Sequence, residues 1–150
     1  MSVADNVTLS KMNNLGPGPF VWPGRQLTAS ARWLDRLKIR CRDGRQKVSE
    51  LSGGNQQKVA LARLLHHDVD VLLLDEPTRG IDVGSKAELY GLIDQLALAG
   101  RAVLMVTSYL PELLGICDRV AVMHRGRLGQ ARAAGELTEH AVLMEATGQV

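Results

Sequence analysis

The sequence is poor in aromatic residues and cysteine, and it contains no long apolar run. One Phe, two Trp and two Tyr in 150 residues leave few rings on which single-stranded bases could stack, which disfavours an RNA-binding surface. Cys41 and Cys117 match no metal-binding or redox spacing, so we expect reduced thiols in a reducing, cytoplasmic setting. Because no apolar stretch reaches about 18 residues and the first residues are not basic, we expect neither a membrane span nor a signal peptide.

The chain also lacks a large net charge. Lys and Arg number 18 against 16 Asp and Glu, a net charge of +2 that is too small to predict nucleic acid or an acidic membrane as a partner. With 45% apolar and 23% charged residues, the composition is typical of a globular protein. The length is that of one domain or part of one.

The chain changes character near residue 48. Before it the sequence is irregular and rich in Gly, Pro and basic residues, and we expect a single helix from about Thr28 to Leu37, capped by Thr28 or Ser30. From Val48 onward, helices and short apolar strands alternate, which predicts a parallel α/β sheet with buried strands. The predicted helices are 55–67, 85–99, 111–116 and 138–146, and the predicted strands are 69–74, 102–106 and 119–123.

The sharpest chemical feature is a strand that ends in two carboxylates. Four apolar residues precede Asp75, Glu76 and the helix breaker Pro77. Successive residues of a strand point in opposite directions, so one carboxylate can help to hold Mg²⁺ while the other faces a water, as phosphoryl transfer requires. Taken alone, the same residues are also compatible with a plain exit from a strand into a turn.

A second feature lies at a helix start. Ser52 is a good N-cap, and Gly53 and Gly54 would let a backbone segment or an anion approach the unpaired N–H groups of the first turn. In isolation a simple capped helix is the better interpretation. Together with the acidic strand end, the pattern predicts that Ser52 and Glu76 lie on one rim that faces a triphosphate.

These residues resemble a known family. Residues 51–63 look like the signature motif of ATP-binding cassette (ABC) ATPases, residues 72–78 look like their Walker B motif, and residues 80–82 look like their D-loop. The resemblance covers about residues 48–126. Asn55 and residues 78–84 resemble the subfamily that energises import of simple sugars such as ribose, galactose and xylose. The tail resembles the end of the second cassette in those two-cassette polypeptides.

The resemblance implies a fold and a chemistry. The fold would be α/β, a partial P-loop NTPase-like parallel sheet with flanking helices. Residues 1–48 would be part of the helical subdomain and residues 49–150 the C-terminal part of the catalytic core. The cofactors would be ATP and Mg²⁺, with Asp75 as metal ligand and Glu76 as general base. Binding to ATP held by an opposite cassette would fall to Leu51, Ser52, Gly53, Gly54, Asn55 and Gln56, while Asp82 would communicate across that interface.

The resemblance also implies partners. These would be a second ATP-binding cassette, in the same polypeptide or as a homodimer, and the membrane permease subunits. A sugar-binding protein would take part only indirectly, and nucleic acid not at all. The chain would be a peripheral protein at the cytoplasmic face of the membrane.

Two departures from the family pattern change the expected activity. Ser108 stands where the family has its switch histidine, which weakens the expectation of hydrolysis at this site. No glycine is followed by lysine, so the phosphate-binding loop is missing. We therefore expect the C-terminal portion of a cassette that cannot hydrolyse ATP alone, and that has uncovered apolar faces and low stability.

Two other functions are compatible with the same residues. One is a non-catalytic interaction module that docks its signature motif onto another cassette. The other is a soluble ABC ATPase of DNA repair or translation, which the near-neutral charge and the scarcity of aromatic residues disfavour.

Overall fold

The computed structural model describes residues 1–149 and divides the chain into two compact units. The first unit is Met1–Leu104, and the second begins at Met105. The subdomain boundary predicted at residue 48 lies inside the first unit and stays a prediction.

The first unit begins with a helix that the sequence analysis missed. Helix α1 spans Val3–Thr8 and starts in a capping box: Asp5 N donates to Ser2 Oγ (3.1 Å) while Ser2 N donates to Asp5 Oδ2 (2.9 Å). Both hydrogen bonds satisfy N–H groups that a helix start would otherwise leave unpaired. The expectation of one helix in the first 48 residues is therefore wrong.

Helix α2 spans Pro23–Arg36 rather than starting near Thr28, and its N-cap is Trp22. The earlier start has a simple cause, because proline is well suited to the first helical position, where its missing N–H is not needed. Thr28 lies inside the helix and donates its hydroxyl to the carbonyl of Gly24 (3.0 Å), so neither Thr28 nor Ser30 is the cap.

The next two helices agree closely with the sequence prediction. Helix α3 spans Gly53–His67 and ends at Asp68 in the left-handed region. Helix α4 spans Val83–Leu98, and Gly100 follows it with φ 87°. A glycine in this conformation ends a helix at low cost, which is why the sequence marks this end clearly.

Strands β1 (Val71–Asp75) and β2 (Ala102–Val106) flank α4 in sequence and are neighbours in one sheet. Their starts lie side by side, since Ala102 N donates to the carbonyl of Asp70 (2.9 Å). The strands are not buried on both faces as predicted. In β1, Leu72 is 1% exposed, whereas Leu73 is 68% exposed. One face of β1 packs on the core and the other is open, in agreement with the expected uncovered apolar surface.

The core of the first unit is built from all four helices and β1. Helices α1 and α2 pack on each other, and α1 packs on α3. Burial of these apolar side chains supplies the main favourable term for folding. The buried members are Val3, Val7, Trp33, Leu37, Ile39, Leu51, Val59, Leu61, Ala62, Leu65, Leu72, Leu89, Ile93 and Leu96.

The second unit consists of short elements: α5 (Leu110–Ile116), β3 (Arg119–Val120), β4 (Met123–His124), β5 (Arg127–Leu128), β6 (Arg132–Ala133) and α6 (Glu139–Thr147). β3 pairs with β6, and β4 pairs with β5, both antiparallel. The predicted single strand 119–123 and its place in a parallel sheet are therefore wrong. The cause is that β3 and β4 have different partners, β4 being folded back onto β5 by the tight turn at Arg125 and Gly126, which have φ values of 46° and 78°.

No helix within residues 1–149 has the length and apolar character needed to cross a bilayer.

Candidate functional site

The acidic strand end is a sharp turn. Asp75 is the last residue of β1 and is exposed, whereas Glu76 is partly buried and has φ 44°. A non-glycine residue with positive φ is uncommon and strained, and such strain is often found at functional sites. The chain then turns, with Arg79 N donating to the carbonyl of Glu76 (3.1 Å). The expectation that Asp75 and Glu76 alternate as strand residues is wrong, because the extended backbone ends at Asp75.

The start of α3 is open at its tip. Ser52 occupies the N-cap position and is exposed, but its side chain makes no capping hydrogen bond. Its Oγ instead accepts a hydrogen bond from Asn55 Nδ2 (2.9 Å), and Asn55 Oδ1 accepts one from Arg40 N (2.8 Å). The prediction that Ser52 occupies the N-cap position is confirmed, whereas the prediction that its hydroxyl caps the helix is wrong. A first turn without a side-chain cap retains N–H groups that suit an anion.

Two other residues of the predicted ATP-contact set are held by the fold. The side chain of Leu51 is buried in the core of the first unit. Gln56 Nε2 donates to the carbonyl of Leu51 (2.9 Å), so this side chain turns back on the segment before the helix.

Gly53 packs against the D-loop, and Gly54 packs against the first turn of α4. A Cβ added to Gly54, which is buried, would lie 2.7 Å from both Cβ and Oγ of Ser85. A Cβ added to Gly53 would lie 3.1 Å from the carbonyl oxygen of Gly80. Internal packing therefore explains the absence of side chains here: at Gly53 the neighbour is a backbone carbonyl, one of the two approaches expected from sequence, and at Gly54 it is the Ser85 side chain.

Asp82 is the N-cap of α4. Its Oδ1 accepts a hydrogen bond from Ser85 N (3.0 Å), and its Oδ2 accepts one from Ser85 Oγ (2.8 Å). These hydrogen bonds, the backbone one foremost, lower the pKa of the Asp82 carboxyl below its usual 3.8. The residue is exposed and ionised at neutral pH.

Ser108 lies in the second unit, just after β2, and is exposed. The loop around it is held by its neighbours: Thr107 Oγ1 donates to Glu112 Oε2 (2.6 Å) and accepts from Tyr109 N (3.1 Å). Glu112 is 2% exposed, and its Oε1 has no hydrogen-bond partner within residues 1–149. Glu112 was not predicted from the sequence, although its place in the first turn of a helix that starts with Leu110-Pro111 was a signal.

The structure thus brings residues 51–56 against residues 80–82 through Gly53, and against Ser85 of α4 through Gly54. Asp75 and Glu76 belong to the same unit and lead into the D-loop through the turn. Residues 1–149 hold no group of three or more His, Cys, Asp or Glu side chains that could bind a metal ion. The exposed carboxylate of Asp75 fits Mg²⁺ as a single protein ligand, because this ion is usually bound by one or two carboxylates together with phosphate oxygens and waters.

Solved structures share this fold. A metal-chelate type ABC transporter in an inward-facing conformation matches with a TM-score of 0.81 at 19% identity, over 99% of this chain and 58% of the other. An ATP-binding cassette of another ABC transporter matches with a TM-score of 0.78 at 20% identity, over 99% and 62%. The fold is therefore the mixed α/β fold of ABC cassettes.

The sequence places the chain in a family. The profile of the ABC transporter family matches residues 1–79. The arabinose import ATP-binding protein AraG of Burkholderia pseudomallei is 49% identical over 144 residues, which is 95% of this chain and 29% of that protein. The L-arabinose transport ATP-binding protein AraG of Geobacillus stearothermophilus is 44% identical over 141 residues, 94% and 28%. This chain belongs to the ABC transporter family and spans less than a third of these relatives.

Proposed function

We propose that this chain supplies the signature motif, the Walker B strand end and the D-loop of an ATP-binding cassette in a carbohydrate importer, with arabinose as the first sugar to test. The observation that carries the proposal is the exposed start of α3, where Ser52 stands beside a first turn that no side chain caps. Two named relatives above 40% identity act in arabinose import or transport.

Each group has a defined task in this proposal. Ser52 and the N–H groups of the first turn of α3 bind the terminal phosphate of ATP held by an opposite cassette. Asp75 holds Mg²⁺, and Glu76, held by the turn, accepts a proton from the attacking water. Asp82 lies at the interface between the cassettes. When bound, Mg²⁺ neutralises phosphate charge during phosphoryl transfer.

The sequence lacks a Gly-x-x-x-x-Gly-Lys-Ser/Thr loop. The chain alone therefore has no cradle for the nucleotide phosphates, and the task that it can perform by itself is the contact of Ser52 and the first turn of α3 with ATP held by a partner cassette. Ser108 in place of the family's switch histidine points to low turnover at this site. In the importer the chain is peripheral to the membrane and moves with the permease subunits.

Nucleotide-dependent docking tests the proposal. The chain is mixed with a full-length ATP-binding protein, such as the B. pseudomallei relative, and association is measured by sedimentation velocity. We expect a complex with Mg²⁺ and a non-hydrolysable ATP analogue, and none without nucleotide. Ser52→Arg should abolish it by filling the phosphate position. Ser10→Arg is the matched control, since Ser10 is exposed and bonds the carbonyl of Arg63 toward the far end of α3.

Two results would contradict this function. Association that is equal with and without nucleotide, or equally strong for Ser52→Arg, would remove the signature contact. Micromolar binding and turnover of MgATP by the chain alone would show that it is a self-sufficient ATPase. Docking that depends on nucleotide but never alters turnover by the full-length protein would instead favour a non-catalytic interaction module.

A further inference from the structure

Helix α3, which begins with the signature motif, and helix α4, which follows the D-loop, are closely packed near their N-termini. Gly54 is buried, and a Cβ at this position would lie 2.7 Å from Cβ and Oγ of Ser85, closer than real side chains approach. Beside it, Gly53 lies close enough to the carbonyl of Gly80 that a Cβ would come within 3.1 Å. Close-packed contacts of this kind transmit displacement, because neither side can yield without a shift of backbone.

The side chain that touches Gly54 also holds Asp82. Ser85 donates both its N–H (3.0 Å) and its Oγ–H (2.8 Å) to the two carboxylate oxygens of Asp82. A displacement of Ser85 by α3 therefore changes the hydrogen bonds of Asp82, although residue 54 does not itself bond Asp82.

A second contact joins the same two helices further along. Lys58 Nζ contacts Glu88 Oε2 at 2.5 Å, and it also donates to the carbonyl of Lys38 (3.5 Å). The Lys58 side chain is 8% exposed, so its charge is largely out of water and depends on this partner. The Lys58 ammonium lowers the pKa of the Glu88 carboxyl, through its hydrogen bond first and its charge second. This ion pair limits sliding of α3 along α4.

We propose that Ser85 is a positioning residue that couples the signature motif to the D-loop carboxylate within one chain. Contact at the start of α3 is passed from Gly54 to Ser85 and from Ser85 to Asp82, while the Lys58–Glu88 pair keeps the two helices in register. The functional meaning of this coupling rests on the proposed function. The coupling itself is a property of this chain and requires no nucleotide.

The test measures the pKa of Asp82 in variants of Gly54. The pKa of the Asp82 carboxyl is measured by carbon-detected NMR in the 150-residue chain. Gly54→Ala should displace Ser85, so the pKa of Asp82 should rise toward 3.8 and the Ser85 amide resonance should shift. Ser85→Ala sets the reference, since it removes one donor and keeps the backbone bond. Gly91→Ala, in the same helix as Ser85, is the matched control, because a Cβ there meets nothing within 4 Å.

An unchanged Asp82 pKa and Ser85 amide in a folded Gly54→Ala chain would overturn the coupling. If Gly54→Ala does not fold, Gly54→Ala with Ser85→Gly decides the matter, because the second change removes both atoms that the new Cβ meets. If the double variant folds, the contact between Gly54 and Ser85 is supported. If it does not fold, the contact is overturned. If the wild-type chain does not dock in a nucleotide-dependent way, while Gly54→Ala still changes the pKa of Asp82, only the proposed function is rejected.

Discussion

Two adjacent leucines of β1 provide a sensitive test of the structure. Leu72 is buried in the core of the first unit, whereas Leu73 is 68% exposed on the open face of the strand. Leu72→Ala removes buried carbon atoms and leaves a cavity, which costs about 2–5 kcal/mol. Leu73→Ala removes mainly exposed atoms and alters only strand propensity, which costs about 1 kcal/mol or less.

These values predict a measurable difference in urea unfolding followed by circular dichroism. With a slope of about 2 kcal/mol per M, a loss of about 3 kcal/mol lowers the unfolding midpoint by about 1.5 M. The same arithmetic gives a decrease of about 0.5 M or less for Leu73→Ala. Since total stabilities are about 5–15 kcal/mol, Leu72→Ala removes a large share and Leu73→Ala a small one.

Equal midpoints for the two variants would refute the reasoning. A large loss for Leu73→Ala would mean that the second face of β1 is covered in solution. A loss below about 0.5 kcal/mol for Leu72→Ala would mean that this side chain is not in a packed core. The slope must stay constant across the variants for the comparison to measure stability.

Two further predictions concern buried polar groups. Burial lowers the pKa of His66 below 6.5, and the facing Lys11, Arg32 and His67 charges act in the same direction. The unfolded chain then binds more protons, so the stabilising contribution of neutral His66 is complete above about pH 6.5 and is lost as the pH drops toward the lowered folded pKa. Urea midpoints should therefore decrease between about pH 7.5 and pH 5.5. His66→Gln should make this decrease smaller. Thr107→Val removes the donor to buried Glu112 and should cost about 1–3 kcal/mol, whereas Thr107→Ser keeps the hydroxyl; equal melting temperatures for the two variants would contradict the assigned bond.

The elements that sequence predicted best have local signals. Helix α4 combines apolar residues at helical spacing with a capping aspartate, Asp82, and a glycine just past its end, Gly100. The bounds of β2 were predicted correctly because a short apolar run is framed by a turn and a loop. Helix α1 was missed although its capping box was visible, because six residues are too few to establish a period.

The rest depended on contacts between distant residues. Nothing in the sequence shows that Asn55 rather than the helix amides bonds the hydroxyl of Ser52, or that Trp33 Nε1 donates to His66 Nδ1 at 3.2 Å. The split of the predicted strand 119–123 follows from pairing of β3 with β6 and of β4 with β5. Pairing partners are set by tertiary structure, which propensity does not contain.

The same limit applies to the glycines of the signature motif. From sequence, Gly53 and Gly54 are explained by the close approach of a backbone or an anion, and in the structure Gly53 faces Gly80 of the D-loop while Gly54 faces Ser85 of α4. Loss of function in Gly54→Ala would therefore not demonstrate a phosphate contact, since the change first displaces Ser85. Ser52 is the position that separates the two causes, because its side chain is exposed and contacts Asn55 in its own helix. A signature contact with phosphate is thus to be judged at Ser52, and the coupling of the two helices at Gly54.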